Sequence, residues 1–218
     1  MKLLLTSSGI TNASLAMALR EMVPVPLNEA AMVFIPTAAN AEYGDKGWMI
    51  DDLTALRELK PKVLDIVDIS AMPRDVWYPR IEKADVIVVG GGNVFHLIHH
   101  VVISGLAEVL PDLLTTRVYV GISAGSMIAG ILLSVSQFQR LYAREIGEYK
   151  GEKGLDFVHC YIRPHLNAPD FPKIREEYLR ELAKEFSDPL YAIDDNSAVR
   201  CIDGAVDVVS EGKWIRYN

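Results

Sequence analysis

Six residues, Gly121-Ile122-Ser123-Ala124-Gly125-Ser126, constrain the fold of this chain more than any other stretch. They follow a short apolar run, Val118-Tyr119-Val120, that reads as a buried strand. They precede Met127 to Leu132, which reads as the start of a helix. Strand, G-x-S-x-G, helix is the nucleophile-elbow pattern. Its turn is so sharp that the serine backbone is strained, which lifts the hydroxyl above the sheet. The residues two before and two after must be small, because strand and helix nearly touch; Gly121 and Gly125 meet that need. Free N–H groups at the helix start lie beside the hydroxyl, and that of Ala124 is a natural oxyanion donor. The plain alternative is a Gly/Ser turn without chemistry. The rest of the chain must therefore supply a base, an orienter and a second donor.

The flanking sequence places this elbow in an α/β fold. Apolar runs at Leu3 to Thr6, Ala31 to Ile35, Val63 to Ile69 and Ala84 to Val89 read as strands. Helical spacing lies between them, at Asn12 to Arg20, Asp51 to Leu59 and Pro73 to Lys83. Continuous apolar runs suit a sheet covered on both faces, and half of the 218 residues are hydrophobic. The alternation predicts a mostly parallel sheet with helices on both faces, in a single domain over residues 1–218. The last runs, Ala198 to Ile202, Ala205 to Val209 and Lys213 to Tyr217, are separated by Asp203-Gly204 and Glu211-Gly212 and predict a C-terminal antiparallel meander. Residues 134–154 read as a long polar excursion.

The formal net charge of -7 argues against a nucleic-acid partner, which wants a basic face. Cys160 and Cys201 are far apart with no C-x-x-C, so a disulfide framework is not expected and a reducing compartment fits. The N-terminal apolar run is too short for a signal peptide and no run matches a membrane span. The expectation is a soluble cytoplasmic protein with no membrane partner. A homodimer is compatible with the sequence, which does not fix the oligomeric state.

Sites in such sheets form beyond the carboxyl ends of the strands. Four predicted strands end in suggestive residues. His165 follows the run Phe157 to Ile162 and has the position of a base facing that rim. Asp194 and Asp195 follow Leu190 to Ile193; either can orient the imidazole, in the order Ser, His, Asp. Asp156 and Asp170 do not follow strands. Gly90-Gly91-Gly92-Asn93 can offer N–H groups to an oxyanion, with Asn93 adding a side-chain bond to substrate. It lacks the third glycine of a dinucleotide fingerprint, and the chain has no P-loop. His96, His99 and His100 share helical spacing but have no acidic or cysteine ligand at a matching offset; they read as a solvated helix face. No metal and no cofactor is expected.

Taken together, these motifs resemble peptidase family S51, which includes peptidase E (aspartyl dipeptidase) and cyanophycinase. The likeness spans nearly the whole chain, from Leu3-Leu4-Leu5-Thr6-Ser7 through Val33-Phe34-Ile35-Pro36, Val88 to Asn93, Gly121 to Gly125 and Pro164-His165 to Ile193-Asp194-Asp195. It implies a class I glutamine-amidotransferase-like (flavodoxin-like) fold and a serine hydrolase. Ser123 would be the nucleophile, His165 the base, and Gly92 and Ala124 the oxyanion donors. Asp195 stands where peptidase E has a glutamate, one methylene longer, and Ile122 stands where it has a tryptophan. Arg175 matches an arginine that binds the substrate aspartate, a task suited to its planar fork. The implied activity is that of a serine exopeptidase taking small peptides with N-terminal aspartate. The alternatives are a β-aspartyl peptidase, amidase or esterase of the same fold, or an acidic-ligand binding protein. A glutamine amidotransferase would need cysteine at position 123.

Overall fold

The apolar runs become the strands of a central sheet. In the computed structural model, which describes residues 1–142 and 153–218, five strands run parallel: β1 (Lys2–Thr6), β2 (Ala31–Ile35), β3 (Val63–Ile66), β4 (Val86–Val89) and β5 (Val118–Ile122). Their order is β3-β2-β4-β5-β1. Three shorter strands form a second sheet. There β6 (Tyr161–Arg163) pairs parallel with β7 (Leu190–Ile193), as expected of an α/β chain. The central sheet continues beyond β1 with β8 (Ser197–Ile202) and β9 (Ala205–Ser210), both antiparallel to their neighbours.

Period-two alternation splits the core in two. Leu3, Leu5, Val33, Ile35, Ile87 and Val89 face one side; Leu4, Met32, Phe34, Val86 and Val88 face the other. The second side is closed by α1 (Ala13–Met22), whose Leu15 and Leu19 pack there, and by Leu56 of α3 (Gly47–Glu58). A short turn of helix, α2 (Thr37–Asn40), precedes α3. The first side is closed by α4 (Arg74–Glu82), α5 (Val94–Ile103), α6 (Leu106–Leu113) and α7 (Ala124–Ala129), with the small sheet behind them. Among the described residues no single helix is long and apolar enough to cross a membrane.

The structure departs from the sequence reading in five places. The third C-terminal run, β10 (Trp214–Tyr217), stays antiparallel but leaves the hairpin to pair with β7. Asp194 draws it there: its carboxylate accepts from the Lys213 N–H at 2.5 Å, and its own N–H donates to the Lys213 carbonyl at 3.0 Å. The strand expected from Phe157 begins only at Tyr161, because Leu155 and Phe157 donate their N–H groups to the last turn of α7 instead. The polar excursion holds α8 (Val135–Leu141), started by a capping box of Ser134 and Gln137; residues 143–152 lie outside the described residues. The helix expected from Pro172 to Phe186 is α9 (Glu176–Ala183), with a loop before it. In α3 the helix starts one turn before the predicted Asp51, at Gly47, and this shift matters for the site.

Candidate active site

The elbow has the strained geometry its sequence demands. Ser123 has φ 48° and ψ -105°, a region that side chains rarely occupy. A Cβ on Gly121 would stand 2.6 Å from the Ser126 nitrogen, and one on Gly125 would stand 2.0 Å from the Val89 carbonyl oxygen. Three buried hydroxyls brace the turn. Tyr119 Oη donates to the Gly125 carbonyl (2.7 Å), Ser126 Oγ to the Thr6 carbonyl (2.7 Å), and Thr6 Oγ1 to the Gly121 carbonyl (2.8 Å).

The small sheet delivers the partners. His165 and Asp195 each lie two residues beyond the carboxyl end of adjacent parallel strands, β6 and β7. Ser123 Oγ is 2.8 Å from His165 Nε2, and His165 Nδ1 is 2.8 Å from Asp195 Oδ1. An ionised carboxylate only accepts, so Nδ1 carries the proton and Nε2 is left to accept from the serine hydroxyl. Burial works to raise the Asp195 pKa, but hydrogen bonds from His165 and Ser7 outweigh it and lower the carboxyl to about 2. Of the two aspartates left open by the sequence, Asp194 is occupied elsewhere: it accepts from Ser197 Oγ (2.6 Å) and the Asn196 N–H (3.1 Å) as well as from Lys213. His165 is also unusual in its backbone, with φ 65°. Phe171 stacks on its ring, with centroids 4.2 Å apart and planes 7° from parallel.

Ser7, which the sequence reading passed over as a strand-ending residue, ties these groups together. Its buried Oγ donates to Asp195 Oδ1 (2.6 Å) and accepts the His165 backbone N–H (2.8 Å). No local signal in Thr6-Ser7-Ser8-Gly9 marks it, since the contacts span 158 and 188 positions.

Gly92 and Ala124 flank the serine. Neither backbone N–H has a hydrogen-bond partner among the described residues. Gly92 adopts φ 127°, and a Cβ there would meet the Ala38 carbonyl at 2.3 Å, so no other residue fits. Asn93 caps α5, accepting from the His96 N–H (3.0 Å), and lines the cavity beside the serine. The three helix histidines are half-buried rather than solvated, with His96 and His100 rings 4.3 Å apart. Burial lowers the pKa of both. No cluster of metal-ligating side chains occurs among the described residues. Cys160 and Cys201 are free and buried, and burial pushes the Cys160 thiol up to about 12.

Arg175 stands at the N-cap of α9 and does not line the cavity. Its guanidinium donates to the carbonyls of Phe171 (2.8 Å), Ile174 (3.0 Å) and Ala168 (3.1 Å), so it holds the loop that carries Phe171 onto His165. Glu176 and Glu181 pair instead with Arg180 and Lys184. Another arginine, Arg163, ends β6 wholly buried beneath Met127, donating Nη1 to the Met127 sulfur at 2.9 Å; its Nε and Nη2 have no hydrogen-bond partner among the described residues.

The serine opens into a cavity of about 870 Å³. One wall is the loop before α3 and the face of α3 that repeats through Trp48, Asp51, Asp52, Ala55 and Glu58. Phe95, Met127, Phe138 and Tyr142 form an apolar side.

Comparison with known proteins agrees with this geometry. The sequence profile described as Peptidase family S51 matches residues 3–209. Peptidase E of Shewanella baltica (strain OS155) is 29% identical over 192 residues, covering 86% of this chain and 76% of that protein. Peptidase E of Shewanella sp. (strain MR-4) is 33% identical over 194 residues, covering 86% and 77%. Among solved structures, a Listeria monocytogenes EGD-e protein described as a candidate peptidase E superposes with a TM-score of 0.79 at 21% identity, covering 97% of this chain and 98% of that one. A peptidase from an acI-B1 Actinobacterium gives 0.71 at 20% identity, covering 98% and 88%. A mostly parallel sheet with helices on both faces, an elbow serine at its rim and a family profile that spans nearly the whole sequence lead to one assignment: the chain belongs to peptidase family S51.

Proposed function

We propose that this peptidase is a serine exopeptidase that cleaves short peptides through an acyl-enzyme. The observation that carries the reading is the hydrogen-bonded line from Ser123 through His165 to Asp195, with both links at 2.8 Å. Ser123 Oγ attacks the amide carbonyl while His165 Nε2 takes its proton. Asp195 holds the ring in the tautomer this requires and stabilises the imidazolium. The Gly92 and Ala124 N–H groups receive the oxyanion. His165 then protonates the leaving amine, and water attacks the ester by the same route.

The test is labelling with an active-site-directed fluorophosphonate, read by mass spectrometry. Modification at Ser123 is the expected result; an unlabelled protein that folds normally would support the binding-protein reading instead.

The aspartate preference implied by the resemblance rests on Arg175, whose donors are engaged by loop carbonyls. The described cavity lining contains no lysine or arginine. The acidic α3 wall favours a second reading, cleavage of basic β-aspartyl peptides. Rates on Asp-Leu, Ala-Leu and β-linked Asp-Arg separate the two.

Because Ser7 fixes both His165 and Asp195, Ser7→Ala is expected to lower kcat about 10- to 100-fold with little change in KM, the cost of a slightly misplaced base. A normal kcat would mean that strand geometry alone positions the triad.

A further inference from the structure

The α3 wall contains a carboxylate that the proposed chemistry does not use. Asp52 is only 8% exposed, yet it has no hydrogen-bond or ion-pair partner among the described residues, and it lines the cavity. Its Oδ1 lies against Gly9, where a Cβ would come within 2.7 Å of it; the same Cβ would come within 3.4 Å of Ile122 Cδ1. The carboxylate and the side chain of Ile122, which directly precedes the nucleophile, thus border the same small space over Gly9. Only a glycine at position 9, with φ +75°, leaves this space open.

An ionised carboxylate this buried is costly without a cation. Burial first, and then the neighbouring Asp51, push its carboxyl up to about 7. Among the described residues no cation pairs with it. Lys46, at the start of α3 but outside the cavity lining, donates its ammonium to the Glu42 carbonyl at 2.6 Å. Arg163 is shut away beneath Met127. Glu42, Asp45, Asp51 and Glu58 surround Asp52 along the cavity wall, so the field there favours a positive ligand group.

We infer that Asp52 anchors a cationic group of the substrate, and that its place beside Ile122 favours the free α-ammonium of a peptide. This inference rests on the exopeptidase reading of the same cavity. The α-nitrogen of a peptide's first residue lies about 2.5 Å from the carbonyl carbon that Ser123 attacks. A carboxylate in the wall of the cavity that Ser123 opens into can thus hold that nitrogen while the carbonyl faces the serine. Such an anchor would make a free amino terminus a condition of good binding, and it would restrict cleavage to the first peptide bond.

The test compares Asp52→Asn with the wild type on alanine p-nitroanilide, its N-acetyl analogue and N-acetyl-lysine p-nitroanilide. The expected result is that the wild type prefers the free amine, and that Asp52→Asn raises KM for it about 10- to 100-fold while changing the acetylated alanine little. Loss confined to N-acetyl-lysine keeps the anchor and makes the side chain its cation. An equal loss on all three substrates, or no loss, overturns the inference. Fluorophosphonate labelling at the wild-type rate shows that the variant's triad is intact; a wild type that is not labelled overturns the exopeptidase reading instead. Binding is read separately in a Ser123→Ala background, where Ala-Leu is expected to raise Tm and the added Asp52→Asn to abolish that rise.

Discussion

Ser123→Ala is expected to reduce peptide hydrolysis by about 10 000-fold or more, while the protein still folds and still binds dipeptide. The size of the effect follows from the geometry. The hydroxyl lies 2.8 Å from His165 Nε2, and the N–H groups of Gly92 and Ala124, proposed to receive the oxyanion, have no partner among the described residues. Without it, the base has no proton to take from the protein, and water must attack unaided except for the oxyanion donors. The alanine Cβ fits where the serine Cβ already stands, so the elbow, braced through Tyr119, Ser126 and Thr6, keeps its shape. Single-turnover assays and fluorophosphonate labelling check the outcome together. Full activity in this variant would remove Ser123 from the mechanism.

Gly125→Ala is expected to have the largest effect on stability, about 3 kcal/mol or more, a fall in Tm of roughly 6–12 °C for a chain of this size. Its Cβ would sit 2.0 Å from the Val89 carbonyl oxygen and 3.1 Å from Val89 Cβ. That strand cannot retreat, because β4 is paired on both sides, with β2 and β5. The start of α7 must move instead, and it takes Ser123 with it, so the rate falls as well. Gly204→Ala is the control. Gly204 has φ +88° but open space around it, so the change costs only the left-handed strain of about 1–2 kcal/mol. A Gly125→Ala protein with wild-type Tm and rate would show that the close approach can relax.

Much of this arrangement is legible in the sequence because it is local. The buried strands announce themselves as apolar runs, and the elbow is contained in six adjacent residues. His165 and the Asp194/Asp195 pair are marked by their place after strands. What escapes the sequence depends on distance or on a small shift in phase. Ser7 acquires its contacts only when β1 meets the ends of β6 and β7. Asp51 reads as the start of a helix, yet α3 begins at Gly47, so Asp52 lies inside the helix, on the face that lines the cavity. Arg175 has the residue type of a carboxylate binder, but three nearby carbonyls occupy it first.

The two sheets divide the proposed triad between them. Ser123, Gly92 and Ala124 follow strands of the seven-stranded sheet; His165 and Asp195 follow strands of the three-stranded one. The site is a joint rather than a pocket carved in one body, and Ser7 is a pin through it. A shift of one sheet against the other by a fraction of an ångström would lengthen the Ser123–His165 contact and slow the proposed reaction. Substitutions in β6, β7 or β10 can therefore set the speed of the enzyme without touching any atom that meets the substrate.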